Sequence, residues 1–122
     1  MIVLEINNLA KARFNKKYLI KVAQRTGARL KLKGKRLVSL ALVGTIASQK
    51  LNRQYRRLDR PTDVLSFRAS ASGRIKSEYL GEIIICYPLA QTQARDYKIS
   101  VQSELERLLI HGLRHLTGHH HY

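Results

Sequence analysis

The sequence predicts a mixed α/β fold in one domain spanning residues 1–122, with a mixed sheet of about four strands packed against about four to five helices. Three observations point there. A chain of 122 residues is too short for two independent cores. Its apolar pattern switches repeatedly between continuous strand-like runs and helical spacing. Helical stretches also separate the early strand runs, and such crossovers join strands that pair in parallel.

Taken in order, Ile2 to Ile6 reads as a buried strand. Asn15 is placed to cap a helix running to about Thr26, with Gly27 positioned to stop it. In that helix Phe14, Tyr18 and Val22 should face the core, while Lys17, Lys21 and Arg25 face outward. Leu37 to Val43 is apolar on both faces, as a central strand is. Thr45 is expected to cap a second helix with Ala47, Leu51, Tyr55 and Leu58 as its apolar stripe, which makes Tyr55 a core residue. Pro61-Thr62 closes that region, and Asp63 to Phe67 reads as a strand. Across the Ser/Ala/Gly-rich stretch from Ala69 to Lys76 it forms a hairpin with Leu80 to Cys86. Pro88 opens a third helix to about Tyr97, and Ser100 caps a last one through about Thr117, ended by Gly118.

Charge narrows the function. Twenty-three Lys and Arg against eight Asp and Glu give +15 at neutral pH. From Ile6 through Leu58 there is no acidic residue, yet fifteen basic ones. Such a surface cannot neutralise itself through ion pairs, which argues against a thermophile's ion-pair network and for a polyphosphate partner. Lys17, Lys21 and Arg25 are the first candidates for contact with such a polyphosphate, with Arg53, Arg57 and Arg60 as a second set. No stretch pairs an aromatic-rich apolar face with the basic one, and no run approaches the ~18 apolar residues of a membrane span, so no membrane role is expected. The single cysteine, Cys86, cannot form an internal disulfide and reads as a core residue. With no recognisable signal peptide, a cytoplasmic address is expected.

Chemistry concentrates at the end of the sequence, His111-Gly112-Leu113-Arg114-His115-Leu116-Thr117-Gly118-His119-His120-His121-Tyr122. Histidines four apart on a helix project from one face, near enough for both imidazoles to reach one ion. Gly118 tolerates positive φ and lets the chain turn back, so that a third imidazole from His119, His120 or His121 completes a neutral donor set. Three such ligands leave a coordination position open for water, as hydrolytic sites require. A His-x-x-x-His pair is common by chance, and three terminal histidines look like the stub of a purification tag. Gly118 before them and Tyr122 after them favour a built turn. A zinc-protease motif would place a glutamate base where Gly112 stands, so that chemistry is disfavoured. Gly112 instead lets this helix approach a neighbour closely, while Val101, Leu105, Leu109 and Leu116 anchor its other face. Glu104, one heptad before His111, either orients a ligand imidazole or favours the helix N-terminus; the latter is the preferred reading.

A second constellation runs Leu51-Asn52-Arg53-Gln54-Tyr55-Arg56-Arg57-Leu58-Asp59-Arg60-Pro61-Thr62-Asp63-Val64-Leu65-Ser66-Phe67. With Leu80-Gly81-Glu82-Ile83-Ile84-Ile85-Cys86 and the His-Gly-x-x-His-Leu-x-Gly-x-x-His ending, it resembles the YbeY family of bacterial endoribonucleases through nearly the whole chain. The resemblance implies one Zn2+ per chain held by His111, His115 and His121, with Arg56 in the active cleft. It further implies single-strand-specific cleavage in maturation of the 3′ end of small-subunit (16S) ribosomal RNA and in ribosome quality control. Single-stranded and ribosomal RNA are the expected partners, with ribosomal proteins or the small subunit as further candidates. The alternative is a non-catalytic, zinc-stabilised RNA-binding assembly factor, in which His119 or His120 closes the metal site. This chain departs from the family pattern at His119 and His120, where a tyrosine and an aspartate are usual. It departs again at Arg114, where a leucine is usual, at Arg68, usually a proline, and in ending one residue past His121, where relatives usually continue. Asp63 and Ser66 read as residues that fix the turn and strand near Arg56.

Overall fold

The computed structural model describes residues 1–69 and 78–118. In chain order these form β1 (Ile2–Asn8), α1 (Lys16–Arg29), β2 (Arg36–Val43), α2 (Thr45–Arg56), β3 (Val64–Arg68), β4 (Tyr79–Cys86), α3 (Tyr87–Tyr97) and α4 (Val101–Leu116). The sheet order is β1-β2-β4-β3, with β1 and β4 parallel to β2 and β3 antiparallel to β4. The expected mixed four-stranded sheet is therefore present, with four helices among the described residues. No helix among them is long and apolar enough to cross a membrane.

One row of the sheet controls the geometry. Ile6 lies opposite Leu40, Leu40 opposite Ile83, and Ile83 opposite Ser66. Strand side chains alternate between faces, so this row and its second neighbours share one face. That face carries the larger core, where Leu40, Leu42, Ile83 and Ile85 meet Leu19 and Val22 of α1, Ala90 of α3, and Leu105, Leu109 and Leu113 of α4. The other face carries a smaller core of Ala41, Val43, Leu65 and Ile84, closed by Leu51 of α2 and by Phe67. The β3–β4 hairpin forms as expected, while its turn falls outside the described residues.

Helix boundaries follow local chemistry. The Asn15 side chain accepts from Tyr18 N at 3.0 Å and caps α1, and Ser100 Oγ accepts from Ser103 N at 3.0 Å and caps α4. Gly27 does not stop α1, which runs to Arg29 before the chain reverses at Lys31 (φ 57°). Gly27 is instead buried against β1, where an added Cβ would stand 3.0 Å from Ile2 Cγ1. The buried side of α1 is Leu19, Val22, Ala23 and Thr26, the i, i+3, i+4, i+7 pattern, which turns Tyr18 outward. Thr45 is the first residue of α2 rather than its cap; Gly44 holds that position without a side-chain bond. Ala47 and Tyr55 are exposed, because α2 buries Ser48 and Asn52 with part of Leu51.

Helix α4 docks on the sheet through Gly112. A Cβ there would stand 2.8 Å from Ile83 Cγ2 and 2.9 Å from its Cδ1, so only a bare Cα lets the helix lie this close. Gly112→Ala should therefore destabilise the protein by about 1–3 kcal/mol, read as a lower urea midpoint with unchanged m-value. An unchanged midpoint would mean that α4 sits farther from Ile83.

Candidate functional site

The intimate contact at Gly112 places its flanking residues over the next position in the row. His111 precedes Gly112 and His115 follows it by three, and the strand residue beyond Ile83 on this face is Ser66. The imidazoles lie with ring centroids 4.5 Å apart and planes inclined by 53°. Together with Val64, Leu65 and Ser66 of β3, and Arg56 from the last turn of α2, they line a cleft of about 340 Å³. The structure thus brings Arg56, His111 and His115 together in one cleft. His121, with His119 and His120, lies outside the described residues. Among the described residues no group of three or more His, Cys, Asp or Glu side chains gathers to hold a metal. The two imidazoles on one helix face are the neutral nitrogen donors that zinc-class ions accept, so the donor set fits such an ion once a further ligand joins it.

Arg56 is fixed by a polar staple that the apolar pattern did not reveal. Helix α2 ends at Arg57, held in the left-handed region (φ 58°) with its N–H donating to Arg53 O at 3.1 Å. The chain then returns to β3 along the helix it has just left. Buried Asn52 donates from Nδ2 to Arg60 O at 2.8 Å. Buried Ser48 donates from Oγ to Thr62 O at 2.9 Å and accepts from Thr62 N at 3.0 Å. Asp63 continues the tether, accepting from Val64 N at 2.8 Å and from Gln93 Nε2 at 3.3 Å. Asp63 therefore fixes the entry to β3, as expected. The signal for the staple was a polar pair four apart beside Leu51, with Pro61-Thr62 downstream.

Arg68 reaches back from the far end of β3, donating from Nε to His115 O at 3.2 Å. A cation on a terminal carbonyl favours the negative end of α4. Gly118 then adopts φ 77°, in line with the expected turn. Glu104 lies in the first turn of α4, as the preferred reading has it. Its carboxylate is fully buried and binds Arg107 bidentately, with Nε to Oε1 at 2.8 Å and Nη2 to Oε2 at 2.7 Å. Those hydrogen bonds raise the Arg107 pKa above its ordinary value, helped by the nearby Asp63 charge and opposed by partial burial. Cys86 is buried at the end of β4, as read from sequence.

The six basic residues proposed for RNA contact are all exposed but form two separate groups. Lys17, Lys21 and Arg25 lie on α1, which packs on β1 and α4. Arg25 also lies 3.9 Å from Glu106 and over the Tyr18 ring at 5.7 Å. Arg53, Arg57 and Arg60 lie at the end of α2 and in the loop after it, beside Arg56, with Arg53 3.8 Å from Asp59. Strands β1 and β3 occupy opposite sheet edges, three pairing steps or about 14 Å apart. The α2 group flanks Arg56, which lines the cleft.

A mixed-sheet α/β protein with a histidine pair and an arginine facing each other across an edge strand is the class that fold and site define. The chain belongs to the endoribonuclease YbeY family, whose model matches residues 5–122. It is 43% identical over 91 residues to "Endoribonuclease YbeY" of Malacoplasma penetrans, covering 75% of this chain and 61% of that one. It is 41% identical over 111 residues to the protein of the same name from Moorella thermoacetica, covering 84% and 71%. The chain thus spans about three fifths to seven tenths of the length of these curated relatives. A solution structure from Thermotoga maritima superposes with a TM-score of 0.64 at 30% identity, over 98% of this chain and 75% of that one.

The staple makes a direct prediction. Asn52→Ala removes the hydrogen bond from buried Asn52 to the Arg60 carbonyl and should lower stability by about 1–3 kcal/mol in denaturant titration. A change of less than about 0.5 kcal/mol, as at an exposed site, would mean that the loop is not held by Asn52.

Proposed function

We propose that this chain is a zinc-dependent, single-strand-specific endoribonuclease acting in maturation of the 3′ end of small-subunit ribosomal RNA and in ribosome quality control. The observation that carries the reading is the convergence of Arg56, His111 and His115 on one cleft beside an exposed basic helix end. Family membership supports cleavage of RNA, and the net charge of +15 supports a polyanionic substrate. A cytoplasmic setting with ribosomal RNA and the small subunit as partners follows from the same reading.

His111 and His115 would hold the ion with His121 as the third ligand, ten residues after His111. His121 has more chain than His119 with which to fold back after Gly118. A zinc-class ion supplies Lewis acidity towards water and phosphoryl oxygens when bound. The protein's own part is positioning and charge. Arg56, held by the stapled loop, presents a planar fork of donors that matches two phosphoryl oxygens and stabilises charge developing on them. Val64 and Leu65 supply apolar wall, which strengthens those interactions by thinning the water around them.

Arg56→Ala should leave fold and zinc content intact while slowing RNA cleavage by well over tenfold, and Arg56→Lys should recover only part of the loss. Wild-type cleavage by Arg56→Ala would favour the non-catalytic assembly-factor reading. Zinc stoichiometry on purified variants tests the ligands separately. His121→Ala should lose metal as severely as His115→Ala, whereas His119→Ala and His120→Ala keep most of it. Full occupancy in His121→Ala with loss in His119→Ala would overturn the assignment.

A further inference from the structure

Tyr55 was expected in the core and is 58% exposed. It precedes Arg56, so its Cα stands one peptide, about 3.8 Å, from that of a cleft residue. Its ring meets Phe67 edge to face, with centroids 4.9 Å apart and planes at 61°. Phe67 in turn follows Ser66, another cleft residue. An edge-to-face pair covers at most one face of either ring, so the exposed Tyr55 ring keeps at least one face uncovered by Phe67. Exposing that much aromatic surface forgoes the free energy of burying it. Packing does not demand it, since Leu51 and Phe67 already close the small core under α2.

The surroundings identify what would cover the ring. Arg53, Arg56, Arg57 and Arg60 all lie within five residues of Tyr55 and are exposed. On the sheet side the register partner of Phe67 is Glu82, a carboxylate that repels phosphate. A polyanion is thereby directed along the arginines and past Tyr55, rather than across the sheet. A planar π-face amid cations is the device by which proteins hold single-stranded nucleic acid: guanidinium groups follow the backbone, and the aromatic ring stacks a base with little sequence preference. A paired base has no free face to offer, so the same device discriminates against duplex.

We infer that Tyr55, braced by Phe67, is a stacking platform for one unpaired nucleobase of the RNA strand whose phosphate lies at Arg56. The inference rests on the ribonuclease reading and adds to it a specificity-determining contact for single strands. It accounts for a large aromatic residue left in solvent beside a charged cleft.

The test is equilibrium binding, without turnover, of a short uniform single-stranded RNA carrying a non-bridging sulfur or other block at the scissile linkage. Tyr55→Ala should weaken binding by roughly five- to a hundredfold, the range of one lost base stack, while Tyr55→Phe stays within about threefold of wild type. The slope of affinity against salt should not change in Tyr55→Ala, because no phosphate contact is removed, whereas Arg57→Ala should flatten it. Replacing successive nucleotides by abasic ones should find one position where wild type loses affinity and Tyr55→Ala loses nothing further. Melting curves on each variant exclude unfolding as the cause. Wild-type affinity in Tyr55→Ala, with the arginine variant still weakened, overturns the stacking platform and leaves the ribonuclease reading standing. Absence of RNA binding by the wild-type protein overturns both.

Discussion

The close seat of α4 on β4, a helix backbone resting on the Ile83 side chain at Gly112, sets the position of nearly everything functional in this chain. A residue with a Cβ at that point would push the helix away from the sheet. The imidazoles of His111 and His115 would move with it, since they leave the same turn and the next. The row that runs from Leu40 through Ile83 to Ser66 converts this contact into a coordinate system. What packs on Ile83 is one strand spacing, about 4.8 Å, from Ser66. The histidines reach the cleft because their helix is anchored one strand inward from it.

The opposite wall of the cleft is built differently. Arg56 comes from a helix that packs on the other side of the sheet and reaches the cleft at the β3 edge. The apolar contacts of that reach are Leu51 on the small core and Tyr55 on Phe67. Ser48, Asn52 and Thr62 fix it by hydrogen bonds that bind the returning loop to the helix, so β3 and Arg56 move as one piece. A site assembled from one apolar seat and one polar staple has two distinct ways to fail. Loss of the seat displaces the histidines, and loss of the staple displaces the arginine.

Much of this was legible in the sequence, and the rest was hidden for physical reasons. The central strand showed because burial on both faces leaves a continuous apolar run, which Leu37 to Val43 has. The last helix showed because Ser100, the apolar face and Gly118 all agree on its limits. The histidine pair stood out by its spacing and Arg56 only through the family resemblance, and the three line one cleft. Helix α2 misled because its buried side is polar: Ser48 and Asn52 satisfy loop backbone, and no hydropathy pattern distinguishes them from solvent-facing residues. The same inversion sent Tyr55 outward, and its exposure is a clue to function rather than a lapse of packing. Glu104 was legible as an acid at a helix N-terminus, but its bidentate partner Arg107, three residues on along the same helix, was not. The charge pattern predicted a polyanion but not its path; the two basic groups resolve onto helices on opposite faces of the sheet only once the two cores are known.

The central claim is that His111, His115 and Arg56 act as one site, the first two on a metal and the third on RNA bound there. Side-chain NMR during a stepwise titration tests it most directly, adding zinc first and a cleavage-resistant single strand second. The account predicts that the His111 and His115 imidazole signals shift together and saturate at one shared zinc-to-protein ratio, and that RNA then shifts the Arg56 guanidinium signal. Histidine signals that respond at different ratios, or an Arg56 signal unmoved by RNA that has bound, would contradict it.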